Sequence, residues 1–300
     1  MSKGFKSGYI GVVGRTNVGK STLINSLLEQ KVVITSDKPQ TTRDRINCIL
    51  NLEDAQIIFT DSPGFFKPKN LLIGSLNAKA ERVFDDADII MVVVDVAGGL
   101  GKGDRFVIEK SKGFKKPKIL VLNKTDKASS QEIKKIKSEL GKAGSFNRII
   151  GVSALKGDNT DRLIKAILKF LPYGPKYFPD GSITDQPFKD TVSDIVREKL
   201  SGILKEEIPH SINVIVESIE KRKTKKDKDI YDIKCDVFVE KTSQKAIVIG
   251  KKGSVLSKAG REARIELENL TGVKVFLEIW VKVALNWTRE EKDLKHFGYI

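Results

Sequence analysis

Gly14-Arg15-Thr16-Asn17-Val18-Gly19-Lys20-Ser21 lies between an apolar run, Tyr9 to Val13, and a helical pattern, Thr22 to Leu28. Strand, glycine-bearing loop and helix in that order is the setting of a phosphate-binding loop. It commits the first part of the chain to an α/β architecture. The glycines let backbone N–H groups turn inward around phosphate oxygens, and the positive end of the following helix faces the same anion. Gly14, Val18, Gly19, Lys20, Ser21 and Thr22 are therefore candidate nucleotide contacts. Lys20 has the reach for the β- and γ-phosphates, and Ser21 for Mg²⁺.

The base is read further on. Asn123-Lys124-Thr125-Asp126 follows the apolar run Ile119 to Leu122. A carboxylate there accepts from guanine N1–H and the 2-amino group, and adenine has no donor at either place. Asn123 can tie this loop to the phosphate loop, and the Lys124 stem can lie over the base. Taken alone, the four residues fit a solvated turn equally well. Three further pieces follow strands or fill the loop between them. Asp61-Ser62-Pro63-Gly64 offers Asp61 to Mg²⁺ through water and the Gly64 N–H to the γ-phosphate. Thr41 and Thr42 stand in the polar loop Ser36 to Asp44, and Thr42 joins Ser21 and Asp61 as a candidate Mg²⁺ ligand. Ser153, Ala154 and Lys156 end another strand and can cover the guanine edge. Lys20 and Thr42 are the candidate catalytic groups.

The set, in this order, resembles the five motifs of the translation-factor-related GTPases, over Tyr9 to Leu171. Ras-type relatives place a water-orienting Gln after the Asp-x-x-Gly glycine; this chain has Phe65, then Phe66. Phenylalanine cannot orient water, so slow intrinsic hydrolysis is expected, with a partner or ion supplying what is missing. In potassium-activated relatives an Asn at the position of Asn17 helps hold a monovalent cation. K⁺ is thus a candidate cofactor beside GTP/GDP and Mg²⁺; Asn17 otherwise only shapes the loop.

Three hundred residues suggest about two domains. The reading is a GTPase domain over 1–172, a Pro/Gly-rich linker over 173–187 and a second domain with a C-terminal tail over 188–300. Alternating strands and helices in the first give a doubly wound, mostly parallel sheet. Met1 to Gly8 is short and polar, with no signal-peptide pattern, and no apolar run approaches the ~20 residues that span a bilayer. Cys48 and Cys235 form no disulfide framework, which points to a reducing cytoplasm, and Cys235 sits in an alternating strand as core. His210 and His296 are too few for a metal cluster and read as surface or cap residues.

The net charge of +15 points to a polyanionic partner. Residues 187–300 hold 23 basic and 19 acidic residues, leaving the larger surplus in the first part. The runs Lys110 to Lys118 and Lys221 to Lys228 fit solvated segments, the second a hairpin tip. The second domain carries its own marker. A helix-like segment, Asp194 to Leu200, precedes two alternating strands, Ser211 to Glu220 and Ile230 to Val239. Ile249-Gly250-Lys251-Lys252-Gly253 then leads into a helix ended by Gly272, and a last strand runs to Val283. This is similar to a type II, α+β KH domain, whose Gly-x-x-Gly loop clamps about four single-stranded nucleotides. Lys241 to Arg261 contains six basic residues and no acidic one. Ile249, Gly250, Lys251, Lys252, Gly253, Lys258 and Arg261 are the candidate RNA contacts.

A P-loop GTPase joined to a C-terminal KH domain resembles the Era family of bacterial GTPases. The likeness includes Thr184 to Pro187, Leu277 to Val283 and the ending Asn286 to Tyr299. Thr16 and Ser62 depart from a usual Pro and Thr without removing a ligand. The resemblance implies binding to the 3′ end of 16S ribosomal RNA and a role in assembling the 30S subunit. The reading is a cytoplasmic, monomeric, GTP-switched RNA-binding protein. GTP and Mg²⁺ order the Thr41–Thr42 and Asp61–Phe66 loops and open the KH groove; hydrolysis releases it. The alternatives are a membrane-associated signalling GTPase, for which weak inner-membrane association is the corresponding partner, and an RNA chaperone whose GTP site is structural.

Overall fold

The computed structural model describes residues 4–35, 41–67, 69–143, 146–205, 208–224 and 227–300. Part of the Ser36–Asp44 loop, the tip lysines Lys225 and Lys226, and the side chain of His210 lie outside them. The chain divides into two units, 1–68 with 76–185, and 69–75 with 186–300.

The first unit runs β1 (Lys6–Val13), α1 (Lys20–Leu27), β2 (Ile46–Leu52), β3 (Ala55–Asp61), α2 (Leu71–Asp86), β4 (Ile89–Asp95), α3 (Lys102–Lys112), β5 (Lys118–Asn123), α4 (Ser130–Ala143), β6 (Arg148–Gly151) and α5 (Thr160–Phe170). The first residues of α2 group with the second unit. The sheet order is β2-β3-β1-β4-β5-β6, parallel except for β2. The central strands read as unbroken apolar runs because helices cover both faces. β4 shows the consequence of a two-residue period. Ile89, Met91 and Val93 enter one core with Leu23, Ile24 and Leu163 of α1 and α5. Ile90, Val92 and Val94 enter another with Val107 and Ile136 of α3 and α4. The parallel strands all end toward the phosphate loop side, where such a sheet collects its βα loops.

The Pro/Gly-rich stretch after α5 is tied down. Ile49 N–H donates to Ile183 O at 2.9 Å, Asn47 Nδ2 to Asp185 Oδ2 at 2.7 Å, and the Tyr177 and Phe178 N–H groups to Gln56 Oε1. It covers the outer edge of β2, satisfying backbone groups that an edge strand otherwise exposes. Buried Gln56 in β3 is explained by these bonds.

The second unit runs α6 (Phe188–Ile203), α7 (Ile208–Ser211), β7 (Asn213–Lys223), β8 (Asp229–Val239), α8 (Thr242–Ile249), α9 (Ser254–Thr271), β9 (Lys274–Val283) and α10 (Glu291–His296). β8 pairs antiparallel with β7 and parallel with β9. Val192, Val196 and Leu200 of α6 and Ala259, Ala263 and Leu267 of α9 are buried, as are Ile233, Cys235 and Val237 of β8. Cys48 and Cys235 are both buried and free. Burial pushes both thiols up, Cys235 to about 12, so neither is a ready nucleophile. The tail closes on buried Trp287, whose Nε1 donates to Ser211 O at 2.9 Å and whose ring stacks on Tyr299.

Candidate functional site

The loop between β1 and α1 shows why its residue types are needed. Gly19 has φ +91, and a Cβ there would sit 2.4 Å from Asn123 Nδ2. Only glycine allows both. Asn123, at the end of β5, donates through Nδ2 to Val18 O at 2.8 Å and accepts the Ala154 N–H on Oδ1 at 3.0 Å. One buried amide thereby joins the phosphate loop, the base loop and the loop after β6. Thr16, Asn17, Gly19, Lys20, Ser21, Thr22, Thr41, Thr42 and Gly64 line a common pocket.

Inside it, Ser21 Oγ donates to Asp61 Oδ2 at 2.7 Å, and Thr42 Oγ1 to the same oxygen at 3.2 Å. The two hydroxyl oxygens are 3.2 Å apart. Two hydroxyls and a carboxylate are hard oxygen donors, the set that suits Mg²⁺. Burial raises Asp61 above the ordinary carboxylate range, while Lys20, Ser21, Thr42 and the Ser62 N–H pull it back. Burial lowers the Lys20 ammonium to about 8, against the attraction of Asp61. A dry, opposed charge pair at the head of a helix is an environment in which phosphate charge is strongly felt. Lys20 Nζ meanwhile donates to Gly14 O and Arg15 O at 3.3 and 3.1 Å, so its direction is fixed by the loop itself.

At the base loop, Asp126 Oδ1 accepts the Ser153 hydroxyl at 2.6 Å, which holds its carboxyl below the ordinary range. The Lys156 N–H donates to the same serine Oγ at 3.2 Å. Lys124 Nζ donates to Asn17 O at 2.7 Å and pairs with Asp95 Oδ2 at 2.8 Å. Asp95 ends β4, and its Oδ1 accepts the Ala97 and Gly98 N–H groups at 3.0 and 3.1 Å. Arg15 Nε is likewise held by buried Asp104, at 2.9 Å. Neither Asp95 nor Asp104 stands in a recognisable motif; both are found only through their partners.

Phe65 does not face the pocket. It is buried against Phe84 and Phe106, with ring centroids 6.1 and 5.7 Å away, and its N–H reaches Gly14 O at 3.4 Å. The side chain in the Gln position is thus an apolar anchor.

In the second unit, α8 ends at Gly250, with φ +74 and a hypothetical Cβ 2.8 Å from Val255 N. Lys252 and Gly253 also have positive φ, 51° and 78°. A lysine held left-handed costs on the order of 1–2 kcal/mol, and the turn projects Lys251 and Lys252 into solvent. Lys258 and Arg261 are exposed on the following helix, and Arg264, absent from the sequence reading, extends the row. Val248 is buried and Ile249 half-buried, so the apolar run before the loop is the end of a helix. Among the described residues, none of Lys251, Lys252, Lys258, Arg261 and Arg264 forms an ion pair. The hairpin cations do: Lys221 and Lys223 with Asp229, and Arg222 with Asp232. The exposed cations at the Gly-x-x-Gly turn and on the helix after it leave a local positive field there.

Known proteins agree with both units. The profile of the family described as 50S ribosome-binding GTPase matches residues 9–124, and that of the KH domain residues 207–288. The GTPase Era of Alkaliphilus metalliredigens is 44% identical over 295 residues, 98% of this chain and 99% of its own length. The GTPase Era of Clostridioides difficile (strain 630) is 44% identical over 296 residues, again 98% and 99%. An Era crystal structure in complex with MgGDPNP and nucleotides 1506–1542 of 16S ribosomal RNA matches with TM-score 0.94 and 40% identity, covering 98% of this chain and 99% of that one. A point variant of Aquifex aeolicus Era bound to GDP·AlF₄⁻ matches with TM-score 0.91 and 39% identity over the same shares. With the phosphate loop, the Asn123–Asp126 loop and the Gly-x-x-Gly turn each in place, the chain belongs to the Era family of GTPases.

Proposed function

We propose that this GTPase binds the 3′ end of 16S ribosomal RNA through its KH unit and assists assembly of the 30S subunit, as a cytoplasmic monomer whose RNA affinity follows its nucleotide. The observation that carries the reading is the coexistence of two formed sites. One is the Ser21–Thr42–Asp61 cluster beside buried Lys20; the other is the exposed Lys251–Lys252 turn. The relative with TM-score 0.94 holds MgGDPNP and 16S nucleotides 1506–1542, which supports assigning the same ligands here.

In this reading the Gly14–Thr22 loop and the Gly64 N–H bind the phosphates. Ser21, Thr42 and Asp61 hold Mg²⁺, which supplies charge neutralisation at the transferring phosphoryl group. Lys20 stabilises the charge that develops on the phosphate oxygens. Asn123, Lys124, Asp126, Ser153, Ala154 and Lys156 hold guanine. Phe65 supplies no polar atom to a water, so turnover is slow without help. Asn17, exposed at the pocket rim and left-handed at φ 61, is the proposed K⁺ ligand. Ile249, Gly250, Lys251, Lys252, Gly253, Lys258 and Arg261 bind the RNA strand: glycines for close phosphate approach, cations for charge, Ile249 for the base groove.

The test is Lys251→Asp with Lys252→Asp, assayed for single-stranded RNA binding across several salt concentrations. Loss of binding and a flatter salt dependence, with GTP binding and melting unchanged, are expected. Wild-type RNA affinity in the folded double mutant overturns the KH assignment.

A further inference from the structure

The excess positive charge of the first unit has a location. Residues 127–170 contain ten basic and four acidic residues. They build α4, β6 and α5, and β6 is the open edge of the sheet. The two helices flank that edge. Gly141 of α4 sits against Ile149 of β6, and Arg148 of β6 lies over the Phe170 ring at the end of α5, 5.7 Å from its centroid. Lys134, Lys135 and Lys137 are exposed on α4, Arg162, Lys165 and Lys169 on α5, and Arg148 between them. Among the described residues none of these seven forms an ion pair. Elsewhere in the unit Arg15, Arg45, Lys79, Arg105, Lys110, Lys112 and Lys124 do.

Three of the four acids of the segment have local work. Glu132 accepts the Ser129 N–H and hydroxyl at the start of α4, Glu139 is held by Arg105, and Asp161 lies in the first turn of α5, where the dipole favours it. Apart from Lys169, which suits the last turn of α5, and Arg148, which packs on Phe170 and donates to Asn147 O, the cations have no such role. Arg162, Lys165 and Lys169 follow one another at helical spacing along one exposed stripe.

We propose that the α4–β6–α5 edge is a second RNA-binding surface, which takes the phosphate backbone of double-helical RNA; this rests on the RNA-binding reading of the KH unit. Charge complementarity selects a polyanion. Among the described residues of the segment, Leu155, 72% exposed, is the one large apolar side chain standing clear of the surface. Base stacking needs exposed aromatic platforms, and a membrane interface needs apolar anchors. A helical phosphate backbone needs only spaced cations.

The test uses the full chain with Lys134, Lys137, Lys165 and Lys169 each changed to Gln. The probes are an RNA hairpin of about twelve base pairs with a single-stranded 3′ tail, the tail alone, and phosphatidylserine vesicles. Hairpin affinity should fall by about tenfold or more at 0.1 M salt, with the log–log salt slope shallower by about three. Tail binding and GTP turnover should stay at wild-type values. Arg148→Gln with Lys165→Gln serves if the quadruple variant melts early, with a slope change of about 1.5–2. An unchanged hairpin slope, or a loss confined to vesicles, overturns the proposal while leaving the KH reading standing. A wild-type chain that binds neither RNA overturns both.

Discussion

Asp95→Asn separates two jobs of one carboxylate. Oδ1 accepts the Ala97 and Gly98 N–H groups, and an Asn oxygen can keep both bonds. Oδ2 pairs with Lys124 Nζ at 2.8 Å, and an Asn NH₂ there faces the ammonium as a second donor. The Asp95 side chain is 11% exposed and that of Lys124 30%, so solvent screens the pair only partly. A charge-assisted bond in such a place contributes about 1–2 kcal/mol net. Lys124 spans from Asp95 to Asn17 O, so losing one anchor frees the stem that covers the base. GTP and GDP share that base, so both should bind about 5–30-fold more weakly with their ratio unchanged. Fluorescence titration with each nucleotide measures this. Melting should fall by a few degrees for the Asn variant, which loses the pair in the free protein too, and further for Asp95→Ala, which leaves two turn amides without their acceptor. Wild-type affinity for both nucleotides, or a change for only one, would refute the role given to Asp95.

Asp126→Asn should weaken GTP by about 2–3 kcal/mol and improve xanthosine triphosphate, whose 2-carbonyl accepts from the new amide; unchanged GTP affinity in a titration would make the loop an ordinary turn. Turnover should be higher in K⁺ than in Na⁺ at equal ionic strength if Asn17 holds the ion, and equal rates reject that role. Trp287→Ala should destabilise the second unit by about 3–5 kcal/mol in urea unfolding, since the ring is fully buried and its N–H bonded to Ser211; a loss below about 1 kcal/mol would show that the tail does not close this core.

The residues proposed to bind phosphate, base or RNA are legible because their chemistry is local. Gly19, Lys20 and Ser21 lie in one loop, and Gly250 to Gly253 in one turn. Asp95 is not, because it ends an apolar run and gains meaning from Lys124, a neighbour only through pairing of β4 with β5. Proline and glycine after Leu171 read as a linker, yet the segment is fixed along β2 by Asn47 and Gln56, polar residues inside strands. The run Lys221 to Lys228 reads in sequence as a solvated hairpin tip. Among the described residues, strand register sets Lys221, Arg222 and Lys223 beside Asp229 and Asp232, where they form ion pairs. The cations of α4 and α5 are separated in sequence, and only the sheet order brings them to one edge.

The central claim is that one chain couples guanine-nucleotide state to grip on a particular RNA. Crosslinking in cells, followed by sequencing of the attached RNA and mapping of the attached peptide, tests it most directly. With a non-hydrolysable GTP analogue, the 3′ end of 16S ribosomal RNA should be recovered on the peptide containing Lys251 and Lys252, and recovery should fall with GDP. Equal recovery in both nucleotide states, or crosslinks spread over unrelated RNAs, would contradict it.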